Sequence, residues 1–480
     1  MKIAAFLTGV AGAALIAGVG SAHAADMPAK VYRKAPPMVV QAYNWTGFYA
    51  GVNAGFGFGR DLTTARNGVL NEQSRIGALG GLGGGQIGYN WQFGDFGLGN
   101  VVLGVETDIQ GAGIESDRTC GVNNFCGPTS GTTYSQKLDW FGTARGRIGV
   151  ATGPVLSYVT GGFAYGSVET GFSRPLVGSS SFKETRTGWT IGSGIEAALG
   201  GNWTGKIEYL YLDLGTQNGA PLLATLPTSS FSSEIREHIF RVGLNYRIGG
   251  TGVYAPEPVR NWAGWYVGGN GGSATARNPT SVIPASDPTV RERTVLSPDG
   301  YFGGAQIGYN WQAANWVFGL ETDFQGSSQK DDKVCLFGCP TNGLGGAVDQ
   351  KMQWFGTARG RLGYSVGSSL FYATGGFAYG NVKTNFTFLD VPSVSTSISQ
   401  TRTGWTVGAG LESPFEFFGL FGKNWTSKTE YLYVDLGRTT GTVATPGFFG
   451  GSQTFTSRAQ EHIFRTGLNY YFNSPVVAKY

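Results

Sequence analysis

The chain has 480 residues, and its composition is skewed toward glycine (80) and aromatics (31 Phe, 22 Tyr, 12 Trp). Only 14% of residues are charged, about half the usual share of a soluble domain. Without proline enrichment or a G-X-Y period, this excludes collagen and ordinary disorder. The net charge of +4 is too small to imply a nucleic-acid partner.

In chain order, residues 1–24 read as a secretory signal. Lys2 supplies the positive start, Ile3 to Val19 an apolar stretch, and Ala22-His23-Ala24 a cleavage site, with the cut between Ala24 and Ala25. Beyond it, no apolar run approaches the ~18 residues of a spanning helix. If the exported chain sits in a membrane, it does so as strands. Residues 25–44 form a proline-containing lead-in, expected in the periplasm.

The remainder is one unit written twice. Trp45-Thr-Gly-Phe-Tyr-Ala-Gly returns as Trp262-Ala-Gly-Trp-Tyr-Val-Gly, and Gln86-Ile-Gly-Tyr-Asn-Trp-Gln returns at Gln306. Trp140-Phe-Gly-Thr-Ala-Arg-Gly-Arg returns unchanged at Trp354, Thr185-Arg-Thr-Gly-Trp-Thr at Thr401, and Glu237-His-Ile-Phe-Arg at Glu461. A period of roughly 220 residues is far beyond a solenoid repeat and marks a duplicated domain. The copies span residues 45–248 and 262–472, joined by a linker at 249–261 and followed by a tail at 473–480.

Within each copy, side chains alternate with period two over segments long enough to cross a bilayer as tilted strands. Phe48, Ala50, Val52, Ala54, Phe56 and Phe58 share one face against Tyr49, Asn53 and glycines. Val101, Leu103, Val105 and Ile109 oppose Gly104, Glu106, Asp108 and Gln110. Phe240, Val242, Leu244, Tyr246 and Ile248 oppose Arg241, Gly243, Asn245 and Arg247. The apolar face is expected to look at lipid and the small or polar face inward. Leu156 to Thr170 does not sort, and its facing stays open.

Eight strands are expected in the first copy, at 45–60, 82–93, 99–111, 134–151, 156–170, 184–198, 202–214 and 233–248. Their connections alternate: 61–81, 112–133, 171–183 and 215–232 are long and polar, whereas 94–98, 152–155 and 199–201 are short. Long external loops and tight periplasmic turns characterise transmembrane β-barrels. The fold class is therefore all-β, an antiparallel up-and-down transmembrane barrel. A soluble sandwich would not need lipid-sized strands with aromatic outer faces.

The ordered motifs W-x-G-x-Y-x-G, Q-I-G-Y-N-W, W-F-G-T-A-R-G-R, G-G-x-A-Y-G, T-R-x-G-W-T, E-Y-x-Y-x-D-L-G and H-x-x-R-x-G-L-N-Y carry a resemblance. Together the chain resembles the porin-like outer-membrane β-barrel proteins of alphaproteobacteria, including their surface-immunogenic members. The resemblance covers nearly all of both copies and implies one eight-stranded barrel per copy in the cell outer membrane. Two eight-stranded barrels in tandem are the expectation, with one sixteen-stranded ring as the alternative. The long linker, its echo of the first lead-in (Val31-Tyr-Arg-Lys-Ala-Pro-Pro) and the retained opening and closing strands all favour two rings.

Charges recur on the inward face. The first copy carries Glu106, Asp108, Glu196 and Glu208 with Arg145, Arg147, Lys206 and Arg241. The second carries Glu321, Asp323, Glu412 and Glu430 with Arg359, Arg361, Lys428 and Arg465. Four acids meet four bases in each set, as a narrow lumen requires. The first reading is a salt-bridged plug; the second is a selectivity ring, which fits a sixteen-stranded pore better. Hydrolysis by paired carboxylates is disfavoured because nearby arginines would keep both Glu106 and Asp108 ionised.

Cys120 with Cys126 and Cys335 with Cys339 fall in matching long loops and are expected to form local disulfides in an oxidising space. No metal site is expected, since those loops lack histidine or further cysteine. His238 and His462 occupy equivalent places near the outer ends of the closing strands, as polar rim residues. Some relatives bind haem, which would make them axial ligands, but no cofactor is the first expectation. Gly80-Gly-Leu-Gly-Gly-Gly lacks the Lys-Ser/Thr ending of a phosphate loop. Asn-Trp-Thr at Asn44, Asn202 and Asn424 reads as interfacial tryptophan positions.

The expected function is a non-enzymatic integral outer-membrane protein with an envelope role and surface loops. A porin for small hydrophilic solutes is the alternative, and surface binding of haem or a host ligand a third reading. Expected partners are outer-membrane lipid, lipopolysaccharide and, during insertion, the barrel-assembly machinery.

Overall fold

The computed structural model describes residues 43–59, 61–67, 70–95, 100–119, 133–174, 178–221, 227–249, 260–285, 292–331, 334–336, 346–388, 395–415, 422–445 and 451–472. The signal segment with its Ala24–Ala25 cut, most of the lead-in and linker, the tail, and Cys120, Cys126 and Cys339 lie outside these residues. For Cys335 only the strand backbone is described.

The first copy holds β1 (Gly47–Gly59), β2 (Asp61–Asn67), β3 (Leu70–Ile76), β4 (Leu79–Asp95), β5 (Asn100–Thr119), β6 (Thr133–Thr152), β7 (Val155–Arg174), β8 (Gly178–Gly200), β9 (Trp203–Gly219) and β10 (Ser229–Ile248). The second holds β11 (Gly264–Ala276), β12 (Asn278–Pro284), β13 (Glu292–Leu296), β14 (Asp299–Ala313), β15 (Trp316–Ser327), β16 (Val334–Leu336), β17 (Gly346–Val366), β18 (Ser369–Phe388), β19 (Ser395–Pro414), β20 (Trp425–Thr445) and β21 (Gly451–Tyr471).

Every pairing is antiparallel, and each copy closes on itself. β1 runs beside β10 from Phe48↔Ile248 to Gly59↔Glu237, and β11 beside β21 from Tyr266↔Tyr471 to Ala276↔Glu461. Two eight-strand rings result, and the single sixteen-strand ring is excluded because β1 takes β10 as its neighbour. Closure leaves no strand edge facing hydrocarbon.

The turns assigned to the periplasm are tight. Thr152 connects to Val155 through Gly153, whose φ of +57° lies in the left-handed region, and Gly367 repeats this at +58°. At the other end the strands run well past the segments expected from sequence. β5 extends to Thr119, β7 to Arg174 and β9 to Gly219, and β8 starts at Gly178, so much of the stretches read as loops is sheet. The segment 61–81 likewise contains the β2–β3 hairpin, with β2 laid along β10 from Thr63↔Ser233 to Asn67↔Ser229. The reason is environmental: above the bilayer the outward face meets water. Glu115 and Lys183 there are exposed, and the apolar half of the alternation disappears.

Within the bilayer the outward face is apolar as expected, with Phe48 and Val52 each 63% exposed and Leu103, Val105, Ile109, Val242 and Leu244 also open. The unsorted segment becomes clear. Leu156, Tyr158, Thr160, Ala164, Val168 and Thr170 are buried inward, while Val159 and Phe163 face out. Its inner face defeats a polar-in rule because the lumen is layered. An apolar floor (Trp45, Val102, Leu156, Ala198) and an apolar upper layer (Ile114, Phe141, Leu210, Ile239) sandwich polar residues. The second barrel repeats this with Trp262, Val317 and Leu370 below and Phe302, Phe355, Leu432 and Ile463 above.

Trp45 is therefore no interfacial anchor. It is 1% exposed, and its indole N–H donates to the Gly153 carbonyl at 3.2 Å. Trp203 does face outward, 46% exposed.

Glycine and tyrosine pair across strands. Tyr49 lies opposite Gly88 and Tyr158 opposite Gly194. A Cβ on Gly88 would come within 2.2 Å of the Tyr49 hydroxyl oxygen. The ring lies flat over the neighbouring strand only because no side chain stands there. The second copy repeats the fit, with Tyr266 opposite Gly308 and Tyr372 opposite Gly410.

Candidate functional site

The candidate site is the charged layer at mid-height of each lumen. Strand alternation delivers its members: Glu106 and Asp108 from β5, Arg145 and Arg147 from β6, Glu196 from β8, Lys206 and Glu208 from β9, and Arg241 from β10. Register then places opposite charges side by side, Glu106↔Arg145, Glu196↔Lys206 and Glu208↔Arg241. All eight are buried.

Arg145 is the hub. It bonds Glu106, reaches Asp108 Oδ2 at 2.9 Å and gives Nη1–H to Glu208 Oε1 at 3.1 Å. Arg241 bridges Glu208 Oε2 at 2.6 Å and Asp108 Oδ2 at 2.8 Å. Lys206 Nζ lies 2.8 Å from Glu106 Oε2, and Arg147 Nη1 lies 3.0 Å from Glu196 Oε2.

The second copy repeats the lattice. Arg359 bonds Glu321, Asp323 Oδ2 at 3.1 Å and Glu430 Oε1 at 2.9 Å. Arg465 bridges Glu430 Oε2 at 2.7 Å and Asp323 Oδ2 at 2.9 Å. Lys428 meets Glu321 Oε1 at 2.7 Å and Arg361 meets Glu412 Oε2 at 2.8 Å. All sixteen residues singled out from the sequence thus come together in two groups of eight.

A neutral shell missed from sequence completes each group. The Tyr49 hydroxyl donates to Glu106 Oε2 at 2.8 Å, and Tyr158 donates to Glu208 Oε1 at 2.9 Å. Asn90 Oδ1 accepts from Arg147 Nε at 2.9 Å, and Asn245 Nδ2 donates to Glu196 Oε1 at 2.9 Å. Tyr49 and Asn245 stand on the face identified as inward, so that alternation held the signal for them. Tyr158 lay in the unsorted segment and had none.

The copies differ at one corner. Tyr471 accepts from Arg361 Nη2 at 3.1 Å and donates to Glu412 at 3.0 Å. At the matching place the first copy has Arg247, which stacks 4.8 Å from the Tyr43 ring centre instead, and Arg147 Nη2 is left without a hydrogen-bond partner among the described residues. The lattice holds no free general acid or base pair: Asp108 and Glu106 are both held by Arg145.

The two histidines stand elsewhere. Both project outward, into the contact between the barrels, with Nδ1 of His238 2.8 Å from the Tyr209 hydroxyl and Nδ1 of His462 2.8 Å from that of Tyr431. Phe240 and Phe464, equivalent in the two copies, meet at 5.2 Å between ring centres. Tyr209 reaches Phe464 at 5.1 Å and Phe240 reaches Tyr431 at 5.2 Å, and Phe56 packs on Tyr431 at 4.7 Å. Phe58 and Phe240 belong to the outward face, yet they are covered by the second barrel rather than by lipid.

Known proteins are similar to this chain in sequence. The outer membrane protein beta-barrel domain family matches twice, at residues 11–247 and 249–472. The 31 kDa outer-membrane immunogenic protein of Brucella melitensis is 37% identical over 237 residues, covering 47% of this chain and 93% of that protein. The 22 kDa outer membrane protein of Rhizobium leguminosarum bv. viciae is 32% identical over 179 residues, 37% of this chain and 66% of its own. Among solved structures, Ail, the attachment invasion locus protein of Yersinia pestis, aligns with 41% of this chain and 98% of its own at 11% identity and a TM-score of 0.16. With two matched domains, each closed into a lipid-facing ring, the chain belongs to the outer-membrane β-barrel protein family and is a tandem duplicate of it in the cell outer membrane.

Proposed function

We propose that both barrels are closed, non-enzymatic structural elements of the outer membrane, anchoring surface loops rather than passing solutes. One observation carries this reading: a neutral lattice of four acids and four bases fills each lumen between apolar layers above and below it. A conducting lumen needs a continuous wet path, and buried charges bonded directly to one another, under aliphatic side chains, leave no room for one. On this reading the partners are outer-membrane lipid around the apolar girdle, lipopolysaccharide at the outer leaflet and the assembly machinery during insertion. Planar-bilayer recording of the purified full chain tests it. No stepwise conductance of porin size is expected, and reproducible steps of that size would overturn the closed reading.

A further inference from the structure

Above the apolar upper layer each lumen becomes polar again, and here the copies part. In the second barrel most of this layer is bonded together, Glu461 Oε1 being left without a partner among the described residues. Asn278 Nδ2 donates to Gln350 Oε1 at 2.6 Å, and Gln350 Nε2 reaches Thr384 at 3.2 Å and Ser457 at 3.3 Å. Glu461 Oε2 accepts from Gln329 Nε2 at 2.6 Å.

The first barrel keeps the same framework. Asp61 stands at the place of Asn278: its Oδ1 accepts the Arg236 backbone N–H at 2.7 Å, as Asn278 Oδ1 accepts that of Gln460 at 2.7 Å. The Thr63–Ser233 hydroxyl contact, 2.7 Å, matches Thr280–Ser457 at 2.9 Å. Gln136 and Glu237 hold the places of Gln350 and Glu461. Yet among the described residues Asp61 Oδ2, Glu237 Oε2 and both side-chain polar atoms of Gln136 have no hydrogen-bond partner. All three residues are at least 97% buried. Gly59 gives the Glu237 carboxylate its place, since a Cβ there would lie 2.5 Å from Oε1, and the second copy has Ala276 at that position.

Among the described residues Asp61 and Glu237 also form no ion pair: Arg236 meets Asp61 through its backbone N–H, while its guanidinium pairs with Asp213 and Glu234. Every acid of the mid-lumen lattice touches an arginine or lysine, whereas among the described residues no ion pair includes Asp61 or Glu237. Two uncompensated carboxylates and an amide with a vacant carbonyl lone pair make an oxygen-only donor set of the hard kind that takes calcium, with water filling the remaining positions.

We propose that the upper lumen of the first barrel binds one calcium ion through Asp61, Glu237 and the Gln136 carbonyl. The second barrel, with asparagine at the position of Asp61, does not. The ion supplies the positive charge this layer lacks and ties the β2–β3 hairpin to β6 and β10.

The test uses the full chain, refolded in detergent free of lipopolysaccharide and stripped with a chelator. Calcium chloride is then titrated by calorimetry, and the thermal midpoint is read with and without calcium. Wild type should bind one calcium more than Asp61→Asn, and its midpoint should rise with calcium while that of the variant stays still. Asp61→Asn is chosen because the second barrel folds with asparagine there. Gln136→Leu, which removes the neutral ligand, should weaken binding at least tenfold. Equal stoichiometry and equal thermal response in wild type and Asp61→Asn would overturn the site. So would absence of calcium binding in wild type combined with a more stable Asp61→Asn, since the carboxylates would then share a proton.

Discussion

Replacing Arg145 by methionine keeps most of the side-chain volume and removes the hub cation of the first lumen. Glu106, Asp108 and Glu208 each lose a bond, the latter two at 2.9 and 3.1 Å, and four carboxylates then face three cations. Breaking a buried pair from one side costs about 3–5 kcal/mol, because the remaining charge keeps its desolvation penalty. That corresponds to roughly two to three and a half powers of ten in the folding equilibrium. Urea unfolding in detergent micelles, followed by tryptophan fluorescence, reads the loss. Asp108→Asn added to Arg145→Met restores a three-to-three balance and should recover a large part of it. Arg359→Met should cost the second barrel a similar amount. A loss no greater than about 1 kcal/mol, the scale of a hydrated surface pair, would refute the reasoning, since it would mean that water already screens these charges and the lumen is open.

Three further outcomes follow from the geometry. Gly88→Ala drives a methyl into Tyr49 and its bond to Glu106, and should cost roughly 1–3 kcal/mol as an overpacking substitution; an unchanged urea midpoint would argue against the cross-strand tyrosine–glycine fit. Cysteines at Ala54 and Val242, register partners in β1 and β10, should cross-link within one copy, whereas Ala54 paired with Thr466 of β21 should not. Phe240→Ala with Phe464→Ala should lengthen the distance between spin labels at Ser179 and Ser395 while each barrel keeps its own unfolding midpoint. Lipid chains replace the lost aromatic contact at little hydrophobic cost, so an unchanged distance distribution would show that other contacts fix the pair.

Fold class, duplication and the sixteen lumen charges were all legible in the chain. Where hydrocarbon lies on one side, Val101, Leu103, Val105 and Ile109 are apolar, with Thr107 spending its hydroxyl on the Thr143 carbonyl, and the residues between them must fit a narrow interior. The same logic failed above the bilayer. Glu115 and Lys183 are strand residues facing water, and no period-two contrast marks them. It failed again at Leu156 to Thr170, because a lumen with apolar floor and upper layers offers no single inward polarity to read.

Sequence by itself determined what each strand turns toward lipid and toward its own lumen, since that depends on one residue's neighbours along the chain and on the solvent outside. Tertiary structure alone decided which strand closes each ring, that Trp45 plugs a floor, and that Phe58, His238, Phe240, His462 and Phe464 meet between barrels instead of facing acyl chains. The near-identical edges of the two copies make either closure chemically acceptable. An outward aromatic also reads the same in sequence whether lipid or a second barrel covers it. Only contacts between residues some 200 positions apart distinguish those cases.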